Sequence, residues 1–292
     1  MIYNKMNVIG VDLGGTSIKA GLVSSSGNII KKCEIPTEAK KGNKTIINNI
    51  IFSINKVKHG KVVGIGIGSP GPLDYKKGII AKSVNIPFKN VPLKKIIEKQ
   101  FKIKTCVDND AKCFTLAEAI FGQGRKYENV VGITLGTGIG GGLVINKKIY
   151  HGRNNATELG HMTINYNGFY DNCGNIGCLE AHASSKFFIN FSNNKKDPFI
   201  LYKLALKGNK NAIKTFEEMG YYLGISIANI MYAFDPDIII IGGKISNAWK
   251  FFSKAMNKEI KKRYFAKPCP VVKSKLKDAG ILGAAALLIK NK

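Results

Sequence analysis

The sequence predicts an α/β protein of two domains built on a repeated plan. Three observations carry this. Apolar strand-like runs alternate with helically spaced apolar residues along the chain. A strand, glycine loop and second strand open each half, at residues 12–19 and 135–142. A length of 292 residues also exceeds what one hydrophobic core ordinarily holds.

The first strand spans residues 7–12 and runs into Leu13-Gly14-Gly15-Thr16. Short strands follow at 18–23 and 28–34, separated by the turn Ser24-Ser25-Ser26-Gly27. Ile46, Ile47, Ile50, Ile51, Ile54 and Val57 recur at helical spacing and give an amphipathic helix. Residues 62–67 read as a buried strand, 91–101 as a short helix, 104–107 as a strand and 111–121 as a helix. That set fills one α/β domain, and the pattern then restarts. A strand at 130–135 and a partner at 142–146 flank a glycine loop, with Asn146-Lys147-Lys148 as a hairpin turn. Loops dominate from 151 to 178 and helices from 179 to about 234. Residues 237–241 form a buried strand ending in Gly242-Gly243; a helix at 249–263, a strand at 270–273 and a helix at 280–289 complete the chain.

Composition narrows the function classes. The net charge of +26 invites a nucleic-acid reading, but Arg occurs only at positions 125, 153 and 263 and the other 42 of 45 basic residues are Lys. Base- and phosphate-clamping surfaces favour the Arg fork, and these lysines are spread along the whole chain beside abundant Asn and Ile. A compositional bias is the simpler explanation, and a positive field also speeds capture of an anionic substrate. The opening segment alternates apolar and polar residues, which predicts no signal peptide, and no apolar run approaches the ~18 residues of a membrane span. Six cysteines at irregular spacings are not a disulfide framework, so the expected compartment is a reducing cytoplasm. Glycine is in excess, 32 residues against the roughly 20 that average usage gives, and it clusters in a few short loops.

Those loops carry the chemistry. Tight glycine turns expose successive N–H groups that form anion-binding concavities. In the first loop Gly14, Gly15 and Thr16 are candidate phosphate ligands, with Lys19 beyond; in the second, Gly136, Thr137 and Gly138. Asp12, at a strand end beside its loop, is placed to hold Mg²⁺ through water. Either loop alone reads as a hairpin turn; two loops that open two halves point to nucleotide phosphates. Neither fits the Walker A pattern, and residues 138–142 lack the strand–helix setting of a dinucleotide site. Gly242 and Gly243 follow a buried strand and open a helix, as an adenosine-binding turn does.

In order along the chain, the motifs are Asp12 to Lys19, Ser69-Pro70-Gly71-Pro72-Leu73-Asp74, Asn109-Asp110-Ala111, Leu135 to Gly142, and Glu158-Leu159-Gly160-His161. Cys173-Gly174-Asn175-Ile176-Gly177-Cys178-Leu179-Glu180, Ile241-Gly242-Gly243 and Asp278 to Ala285 complete the set. It resembles the ROK (repressor, open reading frame, kinase) family over nearly the full length, in particular its bacterial-type glucokinases. The resemblance implies an actin-like ATPase (ribonuclease H-like) fold: two α/β domains around a central cleft. Residues 1–119 would form the N-terminal domain, joined by a C-terminal helix at 279–292; residues 120–278 would form the C-terminal domain with the nucleotide site. It implies transfer of the γ-phosphoryl group of ATP, with Mg²⁺, to the 6-hydroxyl of glucose. Asp110 is then the catalytic base, and Asp108 is free to cap the helix that Asp110 opens. Asn109, Glu158, His161 and Glu180 bind sugar hydroxyls, with Gly71 and Asn85 in the sugar-facing loops.

His161, Cys173 and Cys178 resemble the family's structural zinc site. The further cysteine that the family supplies is replaced by Asp171, giving a His–Asp–Cys–Cys set. Lys112, where many relatives carry Asn, is expected to face solvent; His59, His151 and His182 are expected to play no ligand role. The competing readings are an N-acetylmannosamine, N-acetylglucosamine or fructose kinase of the same family, and a polyphosphate-dependent glucokinase. A sugar-responsive repressor is disfavoured because six residues precede the first strand. The family commonly forms homodimers or homotetramers; neither nucleic acid nor membrane is expected as a partner.

Overall fold

In the computed structural model, which describes residues 6–83, 85–191 and 197–289, the chain divides into two compact units. One comprises 1–128, 142–157 and 275–292, the other 129–141 and 158–274. The first opens with a meander of β1 (Asn7–Leu13), β2 (Ser17–Ser24) and β3 (Ile29–Pro36), followed by α1 (Asn43–Val57) and β4 (Val62–Ser69). Three short strands, β5 (Leu73–Asp74), β6 (Ile79–Lys82) and β7 (Lys89–Val91), precede α2 (Leu93–Phe101), β8 (Thr105–Asn109) and α3 (Asp110–Ile120). The main sheet has the order β3-β2-β1-β4-β8. Strands β1, β4 and β8 run parallel; β1 and β4, each paired on both sides, are largely buried, which is why they read as continuous apolar runs rather than alternating ones. The lysine-rich β3 is a sheet edge. Ile46, Ile50, Ile54 and Val57 of α1 are fully buried and join one core with Ile9, Val11, Ile65 and Ile67 of the sheet.

The second set of elements repeats the plan. It comprises β9 (Asn129–Leu135), β10 (Ile139–Ile145), β11 (Lys148–Ile149), α4 (Leu179–Ala183), α5 (Ser185–Phe191), α6 (Pro198–Leu206) and α7 (Lys210–Phe234). After these come β12 (Ile238–Gly242), α8 (Trp249–Arg263) and β13 (Val271–Lys273). Its sheet order, β11-β10-β9-β12-β13, matches the first position for position, with β12 parallel to both β9 and β13. Every residue of β12 is buried. Gly220 and Gly224, one turn apart on α7, lie against the backbone of α8 at Phe252 and Met256, and this lets two long helices pack closely.

The last helix, α9 (Ala279–Ala286), returns to the first unit. It lies on β1 and β4 so closely that a Cβ at Gly10 or Gly66 would overlap the carbonyl oxygen of Ile281 or Ala284. Two glycines in mid-strand, otherwise a cost to a sheet, thus mark where a helix backbone crosses the sheet.

Several expectations need correction. The strands β5, β6, β7 and β11 went unread, because two to four residues carry too little alternation to register. The helix expected at 91–101 starts at Leu93, with Val91 ending β7 and Pro92 as its cap. The strand expected from 142 starts at Ile139, so Gly140, Gly141 and Gly142 belong to β10; at Gly142 the side chain of Thr115 occupies the place a Cβ would need. Residues 192–196 of the expected helical stretch and 290–292 of the expected C-terminal helix lie outside the described residues.

Candidate active site and metal centre

In the first unit the register of the parallel strands places the candidate chemistry at one sheet edge. Asp12 of β1 pairs with Gly68 of β4, Gly68 pairs with Asp108 of β8, and Ser69 pairs with Asn109. Asp110 follows as the first residue of α3. Ligands in open α/β sheets gather at this carboxyl end of the strands. The fully buried Cys113 lies beneath: its thiol is pushed well up, first by burial and then by the carboxylates of Asp108, Asp110 and Asp12. Three acidic groups therefore converge on one edge.

The cap of α3 is Asn109, whose Oδ1 accepts from the N–H groups of Ala111 and Lys112 at 3.0 and 3.1 Å. This corrects the expectation that Asp108 would cap the helix. Asp108, 4% exposed, instead accepts from the N–H of Asn109 at 2.8 Å and pairs with His151 Nε2 at 2.7 Å. The His151 ring stacks on Tyr75 at 3.6 Å. With Oδ1 of Asn109 occupied, its amide NH₂ remains as a donor for a ligand. Lys112 is buried, not solvent-facing, and its Nζ donates to the carbonyl of Asn154 at 2.7 Å.

The first glycine turn is closed by Gly14 N–H donating to Ser17 at 3.0 Å, and it is braced by Thr37, whose N–H donates to the carbonyl of Thr16 at 2.9 Å. Thr16 itself is exposed. Gly15 faces Asn85, and Gly71 takes a left-handed conformation (φ 90°) against the carbonyl of Lys82. Lys19 lies on β2 opposite Asp12 and reaches Glu34 at 4.0 Å. The carboxylate of Asp12 touches Gly280 in the first turn of α9. Burial raises its pKa; Lys19 opposes the shift and Glu34 adds to it.

The second unit gathers its candidates around the loop between β9 and β10. Gly136 N–H donates to Gly138 at 3.0 Å, and the carbonyl of Gly136 accepts from the N–H and Oγ of Ser185 at 3.0 and 2.9 Å; Thr137 at the tip is exposed. The carboxylate of Glu180, on α4, fills the space beside Gly138 and accepts from Ile139 N–H at 2.8 Å. Gly160 packs on the carbonyl of Ile139, so the turn carrying Glu158 and His161 sits on the same loop. Gly242 ends β12; Gly243, at φ 85°, packs on the backbone of Leu135 immediately before the loop.

A cluster of donors adjoins. One ligand atom from each of His161, Asp171, Cys173 and Cys178 lies within 4.8 Å of the others. A tetrahedral zinc with bonds of about 2.0–2.3 Å needs donors about 3.3–3.8 Å apart, so a small contraction suffices. His161 Nδ1 is 3.1 Å from Asp171 Oδ2, and the two sulfurs are 3.6 Å apart. All six cysteines are free. Burial, then the contact with Cys173, pushes the Cys178 thiol up to about 12. Burial pushes the Asp171 carboxyl up, but Cys173 and Lys186 outweigh it and the net shift is down. His182, for which no ligand role is expected, is buried under this loop; its Nδ1 bonds the carbonyl of Cys178 at 2.8 Å and its Nε2 accepts from Phe169 N–H at 3.3 Å. That pattern belongs to the neutral ring, and burial lowers its pKa accordingly.

Lys186, Asp108, His151 and Asn154 were not singled out from the sequence as site residues. No spacing marks them: each reaches its partner through the fold rather than through the helix or strand that carries it.

Among the described residues no helix is long and apolar enough to cross a membrane. Residues 8–291 match the sequence model of the ROK family. The chain is 37% identical to a glucokinase of Thermotoga maritima over 97% of this chain and 98% of that protein. It is 35% identical to a glucokinase of Halalkalibacterium halodurans, covering 96% and 94%. Among solved structures, a ROK family glucokinase from Streptomyces griseus in complex with glucose and AMPPNP superposes with a TM-score of 0.85 at 29% identity, covering 96% and 98%.

Proposed function

The chain belongs to the ROK family, and from that premise we propose that it is an ATP-dependent hexose kinase that phosphorylates the 6-hydroxyl of glucose. The observation that carries the reading is the placement of Asp110: at the head of α3, on the sheet edge that also bears Asp12 and its glycine turn. Phosphoryl transfer asks a protein chiefly for positioning and charge neutralisation, with one carboxylate to accept the hydroxyl proton. In this reading Gly14, Gly15 and Thr16, with Gly136, Thr137 and Gly138, bind the phosphates, with Lys19 beyond the first turn, and Gly242 and Gly243 back the adenosine. Asp12 holds Mg²⁺ through water. Asn109, Glu158, His161 and Glu180 satisfy sugar hydroxyls, with Gly71 and Asn85 in the loops around them. The sugar oxygen bonds the γ-phosphorus, its proton passes to Asp110, and the bond to ADP breaks. An aspartate does this at neutral pH without tuning, and binding energy from the sugar favours it over water.

The donor set of His161, Asp171, Cys173 and Cys178 fits Zn²⁺, with carboxylate in place of one thiolate. The metal would be structural and would fix the His161 ring, leaving the other ring nitrogen for the sugar. Protein purified without chelator should carry one zinc per chain by elemental analysis; full activity in metal-free protein would remove the metal from this reading.

A coupled ADP-release assay across glucose, fructose, mannose, N-acetylglucosamine and N-acetylmannosamine, with ATP or polyphosphate as donor, tests the assignment. Asp110→Asn should lower kcat by about 10²–10⁴ while the variant stays folded. A loss below tenfold would take the base role from Asp110. The family's usual homodimer or homotetramer is the expected assembly, to be read by light scattering.

A further inference from the structure

Glu180 is held from two sides, and neither contact comes from the motif that contains it. Its Oε2 accepts from Ile139 N–H at 2.8 Å, and its Oε1 from Lys186 Nζ at 3.0 Å. The same ammonium lies 3.4 Å from Oδ1 of Asp171, whose other oxygen faces His161 Nδ1 at 3.1 Å. The chain of contacts therefore runs His161, Asp171, Lys186, Glu180, Ile139. Lys186 is the second residue of α5, and that helix is fastened to the glycine loop because Ser185 gives both its N–H and its Oγ to the carbonyl of Gly136.

We infer that Lys186 is a positioning residue for sugar binding: its ammonium, anchored on Asp171, fixes the Glu180 carboxylate in the orientation that accepts sugar hydroxyls. The inference rests on the hexose-kinase reading above and deepens it. A glutamate side chain has three rotatable bonds and a broad terminal torsion. Tied at one oxygen only, it would sample orientations that a bound sugar must then restrict; tied at both, it meets the sugar already ordered. Each oxygen keeps a second lone pair, so the two tethers leave acceptor capacity for hydroxyl donors. The buried Asp171, 0% exposed, supplies the fixed end, because a carboxylate removed from water holds a neighbouring cation more firmly than an exposed one does.

The test compares the full-length wild type with Lys186→Met and Lys186→Arg. Glucose affinity is read by calorimetry without nucleotide, and KM for glucose and for ATP by the coupled assay. Lys186→Met is expected to weaken glucose binding about tenfold or more, the loss of one charge-assisted hydrogen bond. KM for ATP, melting temperature and zinc content should stay near wild type. Lys186→Arg, whose fork spans two carboxylates, should recover most of the affinity. Glucose binding by Lys186→Met equal to wild type would overturn the inference. So would a loss shared equally by ATP, or one accompanied by loss of zinc or of melting temperature, since either marks a general structural role. A wild type that binds no hexose would instead refute the kinase reading, so the two failures are distinguishable.

Discussion

Asp12 combines a structural cost with an expected function. Burial raises its pKa, so between the unfolded and folded values the native state binds more protons than the unfolded one. Stability from this group is present below the unfolded value and is lost as pH rises through the folded one. Ionising this buried carboxyl is a cost that the fold tolerates, as functional groups often are. Asp12→Asn should therefore melt at a higher temperature than wild type at pH 7, with the gap closing toward pH 4. Its turnover should fall by about tenfold or more, through loss of the Mg²⁺ contact. Melts and initial rates across that range decide it; an Asn variant less stable than wild type at pH 7 would contradict the argument. Asn109 shows a different economy, one amide serving as helix cap and candidate ligand.

At the scale of elements, the turn between β10 and β11 does more than reverse the chain. Asn146 and Lys147 both take left-handed conformations, φ 49° and 61°, the requirement of a two-residue hairpin. That geometry aims Lys147 inward, where its three ammonium N–H groups are shared among the carbonyls of Ala119, Gly124, Arg125 and Tyr127 at 3.0, 3.3, 2.9 and 2.7 Å. These carbonyls belong to the C-terminal end of α3 and to the connection beyond it. Helix ends leave carbonyls unpaired, and a cation there is favourable. Lys147→Met keeps the stem and removes the charge, leaving the half-buried carbonyls to water. The expected loss is about 1–3 kcal/mol in unfolding free energy by denaturant titration, with glucose and ATP KM unchanged. A loss under about 0.5 kcal/mol would show that water replaces the ammonium fully.

Across the whole molecule, the five-stranded order recurs in both sheets although the strands differ in length and sequence. What the two sheets share is physical: a glycine turn after the first strand, a meander beside it, and an apolar parallel strand on its other side. The net charge of +26 is carried mostly by lysines. The buried Lys112 and the partly buried Lys147 and Lys186 are each committed to carbonyls or carboxylates. Conspicuous excess charge and specific charge are thus different populations.

The sequence by itself determined the α/β class, the long strands and helices, the glycine loops and the four metal-type donors, because each rests on local spacing or on an ordered set of motifs. The strand at 7–13 is long enough for its apolar run to decide, and the helix 249–263 for its periodicity. Only the tertiary structure decided that Asn109 rather than Asp108 caps α3, that Lys112 is buried, and that Lys186 joins Glu180 to Asp171. In each case the partner depends on how neighbouring strands, turns and helices are placed, and a lysine side chain of four methylenes reaches whatever the fold sets within its radius.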